Sequence, residues 1–288
     1  MRSVFQNPKT KRRAKKIIRQ GLIYCLLVPL AIVFTVPLLW LLSTSLKGDA
    51  QMAVWPPVWI PSPLYWENFV EAWTTGDFPR DLMNTVTITV LATFGELLTA
   101  SMAAFGFARL RFPGRDGLFL VLLATLMLPG VVTLIPTFVL FKYLNWLDTF
   151  KPLIVPAYFG GGAFFIFLLR QFFLTLPPEL FEQAKIDGAS NYRSYWQIML
   201  PLCKPALSTV AIFAFMNHWN DFMGPLIYLN SPDKFTLTLG LRRFMTLTDV
   251  RFQQMMAMSL LMTLPVLAVF FFFQQYFIQG VVMSGIKA

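Results

Sequence analysis

A single histidine and two cysteines in 288 residues leave little from which to build a catalytic or metal centre. His218 has no second imidazole with which to share a zinc ion, and no pattern around it makes it the base of a Ser-His-Asp device. Cys25 and Cys203 fall in different segments without metal-type spacing, so neither a metal site nor a disulfide framework is indicated. No Gly-x-x-x-x-Gly-Lys-Ser/Thr loop is present: Gly160-Gly161-Gly162 runs into Ala163-Phe164, with no lysine to reach a phosphate. Charge is sparse too, at 13% of residues against roughly 25% in a soluble domain. The net charge of +10 could suggest nucleic acid, yet the basic residues sit in short segments between apolar blocks and not on one continuous face. No nucleic-acid partner is expected.

What is abundant is apolar surface. Hydrophobic residues make up 56% of the chain and its mean hydropathy is +0.60. They arrive in blocks of about twenty, the length that crosses about 30 Å of hydrocarbon at 1.5 Å per residue. Six such runs stand at about 21–42, 82–107, 118–141, 153–169, 206–228 and 255–276. The expected fold is therefore an all-α polytopic membrane protein with six transmembrane helices, with membrane lipid as its solvent. The fourth run is short before Arg170 and the fifth carries His218, Asn220 and Asp221, so both are expected to face protein more than lipid. Gly160 to Gly162 either break the fourth run or let helices approach closely.

The chain divides into a basic tail at 1–20, a first transmembrane helix at 21–46, a Pro/Trp-rich loop at 47–81, and a transmembrane core at 82–288. A signal peptide competes for the first run, since Lys9, Lys11, Arg12, Arg13, Lys15, Lys16 and Arg19 precede it. Its apolar stretch is about twice a normal h-region and lacks a small-residue cleavage site, so it is expected to remain as an anchor. Basic residues favour the cytoplasmic side. The tail and the tight Arg109–Arg115 turn therefore place both termini, that turn and the 170–205 loop in the cytoplasm, although the internal loops alone are nearly balanced in charge. In the 47–81 loop, Pro56, Pro57, Pro61 and Pro63 forbid a long helix, and Trp55, Trp59 and Trp66 suit the headgroup level. Trp66, Phe69, Val70 and Trp73 then repeat at helical spacing, predicting a short amphipathic helix near the outer surface.

The most patterned segment is the 170–205 loop. Pro178 suits the first turn of a helix, Glu179 and Glu182 complement its positive end, and Gly188 can take the left-handed conformation that stops it. Ser190 can cap a second helix whose Tyr192, Tyr195, Trp196 and Met199 line one face before Pro201. Exposed Leu180, Phe181 and Ala184 on the first helix want a protein groove. The competing reading is an interfacial helix resting on headgroups.

Glu182-Gln183-Ala184, Asp187-Gly188-Ala189, and then Ile198, Leu200 and Pro201 resemble the "EAA" loop of ABC importer permeases. Gln183 stands where the middle alanine of that triplet is usual. Further pieces resemble the carbohydrate-importer, maltose-type branch: Asn84-Thr85, Ala104-Phe105-Gly106-Phe107-Ala108-Arg109, Trp219-Asn220, Pro225-Leu226-Ile227, Gly280 and Gly285-Ile286-Lys287. The resemblance implies the type I ABC importer permease fold in a bacterial or archaeal cytoplasmic membrane, with no cofactor and no catalysis by this chain. It implies a heterodimer with a second related permease, a dimer of ATP-hydrolysing subunits, and an extracytoplasmic solute-binding protein. It also makes the 170–205 loop the coupling segment, with Glu182, Ala184, Asp187, Gly188 and Ala189 as its docking and elbow residues. The implied solute is a di- or oligosaccharide, with a monosaccharide or glycerol phosphate as alternatives. A secondary transporter is the rival class, since polar groups inside spans often mark ion routes, but such a carrier has no reason to display a cytosolic docking helix.

Three features inside the spans call for partners. Glu96 sits mid-run, where a charge costs about 2.5 to 3.5 kcal/mol on insertion scales, so it needs a partner, a wet cavity or a proton. Trp219, Asn220 and Asp221 are candidate lining of a translocation pathway, or alternatively contacts to a partner permease. Met255, Met256, Met258 and Met262 read as packing residues.

Overall fold

The computed structural model describes residues 8–75, 77–245 and 250–285, with side chains described for 16–75, 77–245 and 250–273. The first part of the basic tail, Ile286 and Lys287 thus lie outside the described residues or side chains. Eleven helices carry the argument: α1 (Pro8–Ser45), α2 (Glu67–Thr74), α3 (Phe78–Arg109), α4 (Arg115–Thr125), α5 (Gly130–Tyr143), α6 (Ala163–Thr175), α7 (Glu179–Ile186), α8 (Asn191–Leu202), α9 (Lys204–Trp219), α10 (Met223–Tyr228) and α11 (Phe252–Gly285). Four stretches are long and apolar enough to cross a membrane, and α4 with α5 and α8 with α9 make two more crossings if each bent pair is one span.

Several expected runs are broken, each at residues that account for it. The third run is two helices bent by 97°. Pro129 has no N–H to donate and biases Leu128 away from helix, so the chain turns there and restarts at Gly130. The fourth is interrupted at Gly160 to Gly162, and both roles considered for these glycines occur together. Gly161 and Gly162 take positive φ of 52° and 67°, and a Cβ on Gly161 would lie 2.3 Å from the Ala100 backbone nitrogen. Only glycine allows that conformation and that approach at once. The fifth stops at Trp219 and resumes as α10. Ahead of it, α8 and α9 meet at 82°.

The breaks are organised around α3, which packs chiefly against α6 and α9. Its buried face runs Ala92, Gly95, Ala100, Ser101, Ala104 and Ala108, small residues at helical spacing with the bulky Phe105 among them. Phe165, Ile166, Leu169 and Phe173 of α6 and Ala206, Val210 and Ala214 of α9 fill against it. Lipid tails are as apolar as leucine, so such close packing of small residues is what holds helices together inside a membrane.

By contrast α1 is exposed along its apolar length and joins the bundle through α11 and its own last turn. There Asn68 of α2 donates to the Ser45 and Lys47 carbonyls at 2.9 and 2.8 Å, supplying partners for carbonyls that a helix end leaves unpaired. The helix expected around Trp66 to Trp73 is present as α2. Trp66, Val70 and Trp73 stay exposed while Asn68 and Ala72 turn inward.

Loops segregate to the two ends of the bundle. One end gathers 45–75, 77–81, 146–151, 228–245 and 250–254. It is tied by Arg243 to Asp81, by Asn84 donating to the Asp233 and Phe235 carbonyls, and by Asp148. Ser231 through its hydroxyl, Lys234, and the Ser231 and Asn230 amides all donate to the Asp148 carboxylate, holding it well below the usual carboxylate range. The other end gathers the 109–115 turn and the 173–204 segment.

Midway along the bundle, His218 Nε2 and Glu96 Oε2 lie 2.9 Å apart, both side chains largely buried. Glu96 therefore has its partner on α9. Removing one member of a buried pair typically costs roughly 3–5 kcal/mol, whereas removing both is often near neutral. His218→Leu is expected to lower the melting temperature and yield of the purified protein sharply, and Glu96→Gln with His218→Leu to recover most of both. A double variant no better than the single would show that the pair does not support the bundle.

Candidate functional site

The expected elbow forms at α7 and α8. Pro178 occupies the N-cap of α7, Glu179 and Glu182 sit in its first turn, and Lys185 sits in its last, each sign matching the helix dipole. Gly188 takes φ +79°. Its N–H donates to the Lys185 carbonyl at 3.1 Å and the Ala189 N–H to the Ala184 carbonyl at 2.8 Å. These two bonds are the glycine-stopped helix end known as the Schellman motif, so Ala184, Gly188 and Ala189 build the turn through their backbones. Asp187 occupies the C-cap. Ser190 then caps α8, accepting the Arg193 N–H at 3.2 Å.

Two expectations about side-chain direction are corrected. Phe181 and Ala184 do not face outward: Ala184 is buried, and Phe181 packs under the bundle with its ring centroid 6.5 Å from that of Phe105. The outward face of α7 is instead Leu180, Glu182, Gln183 and Ile186, with Ile186 84% exposed. On α8 the four expected residues do not share one environment. Tyr195 and Met199 are buried while Tyr192 and Trp196 are exposed, because the helix widens to π-type pairing over Tyr195–Met199. The Tyr195 hydroxyl reaches Ser101 Oγ on α3 at 2.7 Å.

Arg109, in sequence an orienting charge and the last residue of the Ala104-Phe105-Gly106-Phe107-Ala108-Arg109 piece, anchors this end. Its Nη2 donates to the Phe173 and Leu176 carbonyls at 2.6 and 2.7 Å, closing the C-terminal end of α6. Its guanidinium also lies 4.5 Å over the Phe181 ring, a cation–π contact. One side chain from α3 thereby holds both α6 and α7. Its place at the end of an apolar run, just before a Leu-Arg-Phe-Pro-Gly turn, was the available signal.

The second candidate cluster is divided by the structure. Trp219 does not line a cavity: it is buried, stacked on Phe215 at 5.3 Å, and packed with Ala72, Phe78, Leu237, Phe244 and Met258. A flat indole ending a helix against an apolar cluster buries more surface there than facing a wet route. Asn220 is exposed, its amide donating back to the Met216 carbonyl at 2.9 Å. Asp221 Oδ1 accepts the Gly224 N–H at 3.0 Å, starting α10.

Comparison with known proteins agrees with this geometry. Residues 96–283 match the family model described as binding-protein-dependent transport system inner membrane component, and the chain belongs to that family. It is thus a multi-pass inner-membrane protein of a transport permease family. It is 34% identical over 261 residues to the arabinooligosaccharides transport system permease protein AraQ of Halalkalibacterium halodurans, covering 90% of this chain and 93% of that one. It is 32% identical to the diacetylchitobiose uptake system permease protein NgcG of Streptomyces coelicolor, over 91% of this chain and 87% of that one. It is also 32% identical to the sn-glycerol-3-phosphate transport system permease protein UgpE of Yersinia enterocolitica, over 92% and 98%. Among solved structures it shares its fold with a chain of a bacterial ABC transporter involved in alginate import. The TM-score is 0.77 at 22% identity, covering 92% of this chain and 98% of that chain.

Arg109→Met is expected to free α7. Hydrogen bonds to charged groups contribute roughly 1.5–3 kcal/mol each, so backbone hydrogen exchange over 179–187 should quicken by roughly tenfold or more. Exchange in the middle of α3 should stay as it is. Unchanged exchange over 179–187 would show that Arg109 does not hold the helix.

Proposed function

We propose that this chain is one of the two membrane-spanning subunits of an ATP-driven importer, and that α7 is the helix an ATP-hydrolysing subunit receives. The observation carrying this is the exposed Leu180–Ile186 face on a helix anchored from behind by Arg109 and ended at Gly188. A helix floating on headgroups would not need that anchor. ATP hydrolysis then belongs to a separate subunit dimer, the second permease completes the path, and an extracytoplasmic binding protein delivers the solute. Among the described residues the exposed Glu182 and Asp187 make no side-chain hydrogen bond or ion pair, so both can pair with that ATPase, and Ala184, Gly188 and Ala189 set the angle of presentation.

The basic tail and the segregation of loops support an orientation with both termini and the 170–205 loop in the cytoplasm. The solute we favour is an oligosaccharide, because two of the similar permeases are named for arabinooligosaccharides and diacetylchitobiose. Glycerol 3-phosphate is the second reading, favoured by similarity to a permease named for it along nearly its whole length. In the pathway, Asn220 and Asp221 at the break after α9 offer an amide and a carboxylate to hydroxyls, with Trp219 bracing them from the core.

A Cβ on Gly188 would meet open space, so a side chain there is penalised by backbone strain of about 1 kcal/mol or more and not by a clash. Gly188→Asn, which tolerates the left-handed region, should keep uptake, while Gly188→Val and Glu182→Lys should abolish it at normal membrane levels. Normal uptake in both latter variants would reduce the loop to a connector, and labelling of a cysteine at Ser190 from outside intact cells would reverse the orientation. For the pathway, Asn220→Ala should change apparent affinity or solute range without lowering the amount of assembled complex. A fall in assembly alone would make Asn220 a structural cap.

A further inference from the structure

Beside α7 lies a cleft of about 700 Å³, a size typical of small-molecule sites. Its floor is the end of α3 and its sides are the 110–115 turn and the inner edge of α7. Its charged lining is Arg109, Arg111, Arg115 and Lys185 against the single carboxylate of Glu182. Two of these cations are already engaged: Arg109 with the α6 carbonyls, and Arg115 with Asp116 Oδ1 at 2.9 Å. Arg111 and Lys185 make no side-chain hydrogen bond or ion pair among the described residues, and both are exposed. The cleft therefore presents two uncompensated cations over a floor containing Phe105 and Phe181.

The position of the rim decides what such a cleft suits. Arg115 opens α4, the first half of a bent span, so the cleft sits where an apolar helix leaves the hydrocarbon. Phe112 on the rim is 37% exposed, and Leu118 and Val121 beyond it on α4 are 55% and 64% exposed. Cations at the mouth of the cleft thus continue into an apolar strip running toward the membrane interior. An acidic protein segment would satisfy the cations and leave the strip unused. A lipid with an anionic head satisfies both, and basic pockets at the cytoplasmic ends of spans are recognised sites for such headgroups. Guanidinium matches the paired oxygens of a phosphodiester, and ammonium supplies a point charge beside it.

We propose that this cleft binds an anionic phospholipid of the cytoplasmic leaflet, its phosphodiester between Arg111 and Lys185 and its chains along the exposed strip of α4. The inference rests on the orientation proposed above, which puts this end in the cytoplasm. Because Arg111 belongs to the turn after α3 and Lys185 to α7, the bound head would clamp the coupling helix to the bundle.

The test uses the assembled importer, with its partner permease and ATPase subunits, reconstituted in phosphatidylcholine nanodiscs with or without phosphatidylglycerol. Native mass spectrometry reads the lipid that stays bound. Arg111→Gln with Lys185→Gln should weaken phosphatidylglycerol retention roughly thirtyfold, the effect of removing two charges near an anionic lipid. Lys142→Gln, a cation in the last turn of α5 at the opposite end, should leave retention unchanged. Equal retention by the double variant and the parent would overturn the proposal, as would an equal loss in Lys142→Gln. Release of bound lipid by inorganic phosphate at matched ionic strength would identify a free-phosphate site instead and overturn the lipid assignment. Dissociation of the ATPase subunits at unchanged lipid retention would make the cleft an ATPase contact. That outcome overturns the lipid site while leaving the coupling role of α7 standing, whereas normal uptake in Gly188→Val and Glu182→Lys fails the coupling role alone.

Discussion

Ala92, Gly95, Ala100, Ala104 and Ala108 give α3 a buried row of small residues, and the broken elements of the molecule depend on it. The chain can turn at Gly160 to Gly162 inside the membrane only because the freed backbone lies against protein there. Gly161 sits on Ala100, Thr99 Oγ1 donates to the Ala157 carbonyl at 3.0 Å, and the Tyr158 hydroxyl donates to the Leu91 carbonyl at 3.0 Å. Irregular backbone at membrane depth is tolerated where protein covers it. Gly95 has the same function from the other side, since a Cβ there would meet the Tyr158 ring at 2.4 Å. A bulkier α3 would push the broken span outward and expose its unpaired groups to lipid.

Polar contacts then fix what close packing alone would let slide. Small-residue interfaces have little shape to define register, so Glu96 with His218 at mid-depth, Ser101 with Tyr195 below it, and Arg109 with Phe173 and Leu176 at the end act as three pins along one helix. Each reaches a different neighbour: α9, α8 and α6. At the opposite end Asp81 with Arg243 and Thr85 with the Leu237 N–H at 2.9 Å continue the series. A polar group inside a bilayer is expensive when unpaired, so each pin also penalises any arrangement of the helices that separates it.

The amount legible in the sequence follows from how local each cause is. Apolar run length marked the four stretches among the described residues that are long enough to cross, and the other two runs fall on the bent pairs, because about 30 Å of hydrocarbon imposes that length directly. The stop at Gly188 and the cap at Ser190 were readable because both involve bonds within a few residues. The direction of Phe181 was not, since the pattern of α7 allows two faces, and Phe105 and Arg109, more than seventy positions earlier, decide which turns inward. Likewise Glu96 clearly needed a partner, and His218 was visible on another span, yet their meeting depends on the α3 to α9 crossing. Trp219 looked like pathway lining from its polar neighbours. Its burial comes from Ala72, Phe78 and Phe244, remote residues that fold over it.

The same arrangement bears on how a push at α7 would spread. Arg109 touches Phe181 of α7 and closes α6 with the same guanidinium, so α7 cannot shift far without loading the ends of two membrane helices together. Because α3 and α6 are packed along their length, that load falls on a single rigid pair. On the other side, α8 is joined to α9 by an 82° bend at Cys203. Its Tyr195 is tied to α3 by its hydroxyl on Ser101 and by its ring, whose centroid lies 5.5 Å from that of Phe105. The elbow therefore connects a stiff pair on one side to a hinged element on the other, and Glu96 with His218 spans the two at mid-depth. A force entering at α7 would thus reach α3 and α6 through Arg109 and α9 through the bend at Cys203, and the packing of α3 on both α6 and α9 would carry it along the bundle. The break at Asn220 lies at the far end of α9, where such a force would arrive.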